Sequence, residues 1–202
     1  MRLDVVAGAR PNFMKVAPII HAIEKSNTSE NLIEIRFIHT GQHYDEHMSG
    51  EFLRQLEIPD PDINLAVGSA SHAEQTAKIM MAYERLLKEQ GTDLCLVVGD
   101  VNSTMACAVT AAKLGVDVAH VEAGIRSFDR SMPEEINRLV TDSVSRYFFT
   151  TSKFANSNLM RSGVDEENIF FVGNTMIDTL LKHRPNFIRP TIYKTLNLEK
   201  KK

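Results

Sequence analysis

The sequence predicts an α/β fold in which a parallel β-sheet is covered by helices on both faces. Three observations lead to this prediction. Short apolar runs rich in β-forming residues alternate with longer stretches of helical periodicity along residues 1–172. The run at 94–98 is apolar throughout, as expected of a central parallel strand that is buried on both faces. Strand and helix also follow one another at the rhythm of βαβ units, whose crossovers are right-handed.

Each element is predicted from its own pattern. Strands are expected at residues 3–7, 33–38, 94–98, 116–121, 147–150 and 169–172. Helices are expected from the first loop through residue 23 and at residues 46–56, 72–90, 105–114, 134–146 and 153–161. Ligands of such sheets bind outside the carboxyl ends of the strands. Polar residues that follow four of the strands are therefore expected at one rim: Arg10, His43, Asp100 and Glu122.

The chain is expected to contain one domain, residues 1–172, followed by residues 173–202. The second segment carries one helical pattern at 176–181 and then a loose stretch with Pro185 and Pro190. It has no pattern from which a core of its own could be built. We therefore expect an interdomain linker and the start of a truncated second domain.

Composition excludes several classes of protein. The 202 residues carry 23 basic and 26 acidic side chains, a net charge of −3, whereas proteins that bind nucleic acid electrostatically are normally basic. No apolar run approaches the roughly 20 residues that span a bilayer, and the N-terminus has no signal-peptide pattern. Cys95 and Cys107 lie in apolar segments, where buried free thiols are expected. These features predict a cytoplasmic protein that binds neither nucleic acid nor membrane.

The first loop, residues 8–18, has the sequence GARPNFMKVAP. Arg10 and Lys15 place two cations at the turn and at the start of the next helix, whose N-terminal N–H groups favour anions. The loop matches neither GxGxxG nor GxxxxGK[ST], which excludes the common dinucleotide and P-loop sites. The pattern indicates contact with a phosphate or a sugar nucleotide. The alternative is two solvated cations on a surface loop.

Three carboxylates are candidates for acid and base chemistry. Asp100 and Glu122 come at the ends of buried strands, and Glu134 lies in the first turn of a helix. Asp100 could instead cap the next helix, and Glu134 could pair with Arg138 four residues later. Glu122 is costly to bury unless it has a partner. Gathered at one rim beside cations, the three carboxylates suit proton abstraction and return, while the cations hold a phosphorylated leaving group.

The sequence does not predict a metal site. His43 and His47 are four residues apart, as in a helical zinc pair, but the sequence fixes no third ligand. His21, His39 and His183 have no partner at ligand spacing. A structural or solvent-exposed role is therefore expected for these histidines.

Six motifs occur in the order found in UDP-N-acetylglucosamine 2-epimerases. From about residue 3 to residue 182 the chain resembles the N-terminal portion of the non-hydrolysing bacterial and archaeal enzymes. The motifs are GARPNFMKVAP (8–18), TGQHYD (40–45), GDVNST (99–104), HVEAGIRS (120–127), PEEINR (133–138) and GNTMID (173–178).

The resemblance implies the first half of a GT-B-like enzyme, in which two Rossmann-like domains enclose the active site. Such enzymes interconvert UDP-N-acetylglucosamine and UDP-N-acetylmannosamine for cell-surface polysaccharide synthesis, by eliminating UDP to give 2-acetamidoglucal and adding it back. The resemblance also implies a UDP-sugar substrate, a homodimer, no cofactor and no metal. It assigns the essential carboxylates to Asp100, Glu122 and Glu134. It assigns substrate-binding residues in the cleft to Arg10, Lys15, His43 and Arg138.

The chain also departs from the family pattern. Family members continue into a second domain that holds most of the UDP contacts, so the 202 residues alone are expected to fold but to be inactive. Gln42 and Asp45 are candidate regulatory residues, because their motif is tied to activation by a second substrate molecule in some members, and Asp45 departs from it. The alternatives are a hydrolysing 2-epimerase, a GT-B glycosyltransferase and a non-catalytic Rossmann-like module.

Overall fold

The computed structural model describes residues 1–30, 32–41, 46–188 and 190–196. Within these ranges the strands, numbered β1 to β7, are Arg2–Ala7, Glu34–His39, Ile63–Asn64, Leu94–Val98, Asp117–Val121, Tyr147–Thr150 and Ile169–Phe171. The α-helices, numbered α1 to α8, are Arg10–Ser26, Glu46–Gln55, His72–Gln90, Asn102–Lys113, Pro133–Val144, Lys153–Arg161, Thr175–His183 and Ile192–Thr195. Short 3₁₀ turns lie at Glu166–Asn168 and Arg184–Asn186.

The strands form a seven-stranded parallel sheet in the order β3-β2-β1-β4-β5-β6-β7. The chain proceeds outward from β1 to β3 on one side and from β4 to β7 on the other. The sheet therefore has its switch point between β1 and β4, which is where doubly wound sheets bind ligands. The α/β fold with helices on both faces, predicted from the sequence, is confirmed.

The two larger apolar cores of the described residues lie on opposite faces of the sheet, because successive residues of a strand point to opposite sides. On β1, Val5 belongs to the core that also contains α1, and Val6 to the core that contains α3 and α4. Three alanines of α4 are fully buried, which lets this helix lie close to its neighbours. They are Ala106, Ala108 and Ala111.

Besides small shifts in the ends of several elements, three differences from the prediction have a structural cause or add an element. Ile63–Asn64 is an edge strand of two residues, which is too short to produce an alternating pattern. Helix α4 begins at Asn102 rather than at 105, because its first turn is polar and buried, with Asn102 Nδ2 donating to Gln75 Oε1 at 2.8 Å. Helix α8 lies after Pro190, in the stretch expected to be loose.

Both cysteines are free and fully buried, as predicted. Burial raises the pKa of the Cys95 thiol to about 12, so this side chain packs as a protonated, nearly apolar group. In the parts of the chain that the structure describes, no helix combines the length and the apolar character needed to cross a membrane.

A buried charge cluster on β1 and β2 was not predicted. Asp4 is fully buried, and its two carboxylate oxygens accept hydrogen bonds from Nε and Nη2 of Arg36, each at 2.8 Å. The Tyr83 hydroxyl donates to the same carboxylate at 2.8 Å, and Arg36 Nη1 donates to Gln90 Oε1 at 3.0 Å. The bidentate pairing and the added hydrogen bonds offset the desolvation of the two charges.

Removing the Asp4 charge should destabilise the whole domain. Asp4→Asn leaves the Arg36 guanidinium buried without its counter-charge, which typically costs about 3–5 kcal/mol. The control is Glu84→Gln, which breaks an exposed pair with Lys88 and should cost at most about 0.5 kcal/mol. Urea unfolding of both variants measures the difference, and similar losses in the two would contradict the prediction.

Candidate active site

Glu122 leaves β5 with a left-handed backbone, at a φ of 70°. Its Oε2 lies 2.5 Å from Nζ of Lys15 on α1, and the two side chains are only 11% and 12% exposed. The first loop and helix therefore supply the partner that a buried glutamate requires. Gly99, which follows β4, lies beside this pair, and a Cβ atom at that position would come 2.9 Å from Lys15 Nζ. The φ of 71° at Gly99 favours glycine, and a larger residue would also have to displace the end of the Lys15 side chain.

Asp100 follows β4 and is held by Arg138 on α5. Asp100 Oδ2 accepts from Nη2 and Nε of Arg138 at 2.5 and 3.1 Å. Its backbone carbonyl accepts from Asn137 Nδ2 at 2.8 Å. Helix α4 is capped at Val101 without a side-chain hydrogen bond, so the capping role considered for Asp100 was wrong. Asp100 instead makes a tertiary ion pair.

Two adjacent glutamates at the start of α5 have different environments. Glu135 is 2% exposed and accepts four hydrogen bonds, from the backbone N–H and hydroxyl of Ser127, the N–H of Phe128 and Nη1 of Arg138. Burial acts to raise the pKa of Glu135, but these hydrogen bonds hold it below its ordinary value. Glu134 is partly exposed, and among the described residues nothing forms a hydrogen bond or ion pair with its side chain. The ion pair considered between Glu134 and Arg138 is therefore not formed.

The other predicted site residues fall into two groups, those that the structure describes and those that it does not. Arg10 begins α1 and is exposed, with no side-chain partner in the described ranges. Gln42, His43 and Asp45 lie outside the described residues. The carboxyl edge of the sheet, where Arg10 follows β1, also holds the remaining candidates. These are Lys15, Asp100, Glu122 and Arg138, with Glu134 one helical turn before Arg138.

This arrangement combines fixed and free charges. Two carboxylates are each held by a cation, while Glu134 and Arg10 have no such partner within the described ranges. Such a set can take up and return protons and can balance the charge of an anionic ligand. Across the described part of the chain, no three His, Cys, Asp or Glu side chains are grouped as a metal site would require.

Comparison with known proteins identifies the family. The model of the family described as UDP-N-acetylglucosamine 2-epimerase matches residues 25–202. The chain belongs to this family. The resemblance stated from the six motifs is thereby confirmed.

Members of the epimerase family align along almost the whole chain. It is 47% identical over 183 residues to the UDP-N-acetylglucosamine 2-epimerase of Methanocaldococcus jannaschii, a match covering 91% of this chain and 49% of the relative. It is 40% identical to the UDP-2,3-diacetamido-2,3-dideoxy-D-glucuronate 2-epimerase of Pseudomonas aeruginosa, covering 90% of this chain and 51% of the relative. The chain thus spans about half the length of these curated relatives.

Solved structures of family members have the same fold. The M. jannaschii enzyme in complex with UDP-GlcNAc and UDP superimposes with a TM-score of 0.88 at 44% identity, covering 98% of this chain and 53% of that one. The Neisseria meningitidis enzyme bound to UDP-GlcNAc gives a TM-score of 0.85 at 30% identity, with coverage of 98% and 53%. The predicted Rossmann-like architecture is therefore that of the epimerase family.

Sequence reasoning missed two groups of residues in this epimerase-family site. Glu135 was not among the candidates predicted from the sequence, although it binds the preceding loop and Arg138. His120 and Asp142 form a buried pair 2.7 Å apart behind the rim. A polar residue at an inward position of an apolar strand was the available signal for His120, but its partner is 22 residues away and carries no sequence mark.

The two adjacent glutamates provide a matched pair of variants. Glu135→Gln removes the charge that receives four hydrogen bonds and should lower the free energy of unfolding by about 1–3 kcal/mol. Glu134→Gln should change it by less than about 0.5 kcal/mol.

The effect of Glu135→Gln should also depend on pH. Because folding lowers the pKa of Glu135, its charge stabilises fully above the ordinary glutamate range of about 4.3, and that stability is lost as pH falls through the folded pKa. Urea unfolding at neutral and strongly acidic pH measures this. Equal stability of Glu135→Gln and Glu134→Gln at neutral pH would show that the buried carboxylate is not a stabilising contact.

Proposed function

We propose that this chain forms the carboxylate-bearing wall of a UDP-N-acetylglucosamine 2-epimerase active site that interconverts UDP-N-acetylglucosamine and UDP-N-acetylmannosamine. The observation that carries the proposal is the convergence of Asp100, Glu122 and the α5 helix bearing Glu134 at the carboxyl edge of the sheet, with Lys15 and Arg138 paired to two of the carboxylates. Membership of the epimerase family and solved relatives bound to UDP-GlcNAc support it.

The proposed reaction proceeds by elimination and re-addition. One carboxylate takes the proton from C2 of the sugar, the C1–O bond breaks, and UDP leaves with the bonding electrons, so that 2-acetamidoglucal remains. UDP then adds back to C1 while a carboxylic acid delivers a proton to the opposite face of C2. Two carboxylates on one rim, a third beside them and no net change in redox state fit this sequence of proton transfers.

The cations have separate tasks in this proposal. Lys15 and Arg138 each hold a carboxylate in a fixed orientation, as their distances of 2.5 Å to Glu122 and Asp100 indicate. Arg10 is exposed at the N-terminus of α1, so it is available to a diphosphate that carries charge away from C1. His43, on the resemblance to the family, is a further substrate contact.

The remainder of the enzyme follows from the same proposal. Residues 1–172 would be its first domain, and residues 173–202 would lead into a second domain that completes a GT-B-like cleft and holds most of UDP. We infer a cytoplasmic homodimer that needs neither cofactor nor metal and that supplies a precursor for cell-surface polysaccharide. The P. aeruginosa relative is a 2-epimerase of UDP-2,3-diacetamido-2,3-dideoxy-D-glucuronate, so the two UDP-sugars have to be compared as substrates.

A chimera tests the proposed function. Residues 1–172 are joined to the second half of the M. jannaschii relative, and the anomeric protons of UDP-N-acetylglucosamine are followed by NMR. We expect UDP-N-acetylmannosamine to accumulate, and Asp100→Asn or Glu122→Gln to lower turnover by about 10² or more at unchanged secondary structure, the usual scale for a lost acid or base. Glu84→Gln, on an exposed face of α3, is the control.

The products of the chimera separate the alternatives. Release of UDP with free N-acetylmannosamine would favour the hydrolysing reaction. Near-normal epimerisation by Glu122→Gln would remove that residue from the mechanism. Exclusive turnover of the diacetamido glucuronate would replace the proposed substrate.

The 202 residues by themselves should be folded but inactive. With only one wall of the cleft, a bound sugar stays in contact with water, which weakens the interaction of its developing charge with the carboxylates. The contacts that the second domain makes with UDP are also missing. The same NMR assay measures this, with the Glu122→Gln chain prepared in parallel to reveal host epimerase. Turnover that exceeds the Glu122→Gln preparation would show that the second wall is dispensable.

A further inference from the structure

His120 is a fully buried histidine on β5, and both of its ring nitrogens are engaged. Nε2 lies 2.8 Å from the backbone carbonyl oxygen of Gly99, and Nδ1 lies 2.7 Å from Oδ1 of Asp142 on α5. A carbonyl oxygen only accepts hydrogen bonds, so Nε2 must donate to Gly99. The ring therefore joins the exit of β4 to helix α5.

The surroundings of Asp142 favour the ionised carboxylate, which accepts a hydrogen bond from this ring. Burial acts to raise the pKa of Asp142, but the hydrogen bond from His120 and the charges of His120 and Arg126 hold it below its ordinary value. Arg126 Nη1 lies 2.6 Å from Asp142 Oδ2, and the Gly124 N–H donates to the same oxygen at 3.2 Å. An ionised Asp142 leaves Nδ1 as a donor, so the orientation of the ring is fixed at both nitrogens.

Gly99 is where this pair meets the proposed active site. The carbonyl that His120 binds belongs to the peptide joining Gly99 to Asp100, so the hydrogen bond fixes the plane from which the Asp100 side chain departs. The Gly99 N–H donates to the Val121 carbonyl at 3.0 Å, which ties the same turn to the residue before Glu122. A Cβ atom at Gly99 would also come 3.5 Å from Glu122 Oε2.

We propose that His120 is a positioning residue for Asp100 and for the Lys15–Glu122 pair, acting through the Gly99 carbonyl while Asp142 holds the imidazole. What the positioned carboxylates accomplish rests on the proposed function; the positioning itself does not. Because His120 is fully buried, it cannot contact a ligand at the surface of the site. Its role is to fix the relative positions of Asp100 and the Lys15–Glu122 pair. A misplacement of about 1 Å in such groups can cost 10²-fold in rate.

Two substitutions separate the contacts of the ring. Glutamine can place its amide N–H near the position of Nε2 and so retain the bond to Gly99, whereas asparagine reaches only toward the position of Nδ1 and Asp142. His120→Gln should therefore preserve the rim and His120→Asn should release it. A residue that merely fills the interior would make the two variants differ in stability without this selective effect on Asp100 and Lys15.

The first measurement uses the 202-residue chain labelled with ¹⁵N and needs no catalytic activity. His120→Asn should shift the backbone amide signal of Asp100 and the side-chain ammonium signal of Lys15, while His120→Gln returns both to the wild-type positions. The Gly91 amide at the end of α3 is the internal control and should not move. Unshifted Asp100 and Lys15 signals in a folded His120→Asn chain, or equal shifts in both variants, would overturn the proposal.

If the His120→Asn chain does not fold, His120→Gln alone tests the proposal. Wild-type Asp100 and Lys15 signals in His120→Gln then support the proposal, and shifted signals overturn it.

The second measurement places both substitutions in the chimera. His120→Asn should lower kcat by about 10- to 100-fold with KM within about twofold, and His120→Gln should recover most of the loss. An inactive wild-type chimera would count against the proposed function alone, because the NMR result stands without it.

Discussion

The parallel pairing of β4 with β5 places Val98 opposite Val121, so the chain leaves both strands at the same level of the sheet. Gly99–Asp100 and Glu122 follow directly from these two residues, and every ion pair of the rim depends on that register. Lys15 reaches Glu122 from α1, and Arg138 reaches Asp100 from α5. A shift of one residue would turn the side chains of one strand to the opposite face and separate the two carboxylates.

The rim is held at some energetic cost. Glu122 has a left-handed backbone at a φ of 70°, a conformation that costs a non-glycine residue about 1–3 kcal/mol. Its N–H donates to the Phe149 carbonyl at 3.0 Å, and its carboxylate is bound by Lys15. Behind it, Asp142 joins His120 and Arg126 in a buried cluster. Strain supported from several sides is typical of functional sites, where a side chain must hold a direction that a relaxed backbone would not give it.

The strand-end rule predicted that Asp100 and Glu122 gather at the rim, because each follows a run with the pattern of a strand. Of the two other residues that the rule named, Arg10 follows β1 and is exposed, and His43 lies outside the described residues. Their partners were harder to predict. The spacing of four residues allowed an ion pair between Glu134 and Arg138. In the structure Arg138 instead donates hydrogen bonds to Asp100 and Glu135. The pairs Asp4–Arg36 and His120–Asp142 are separated by 32 and 22 residues, and nothing local marks them. The two-residue strand β3 leaves no periodicity to detect. The catalytic roles of the carboxylates stay a prediction.

We propose that the rim carboxylates exchange the C2 proton of a UDP-sugar, and hydrogen exchange at that carbon provides a direct test. The chimera is supplied with UDP-N-acetylglucosamine in D₂O, and the C2 position of both sugars is examined by NMR and mass spectrometry. We expect one deuterium at C2 of the product sugar, with the rate of incorporation lowered by about 10² or more in Asp100→Asn and Glu122→Gln. Epimerisation without deuterium at C2, or undiminished incorporation in both variants, would contradict it.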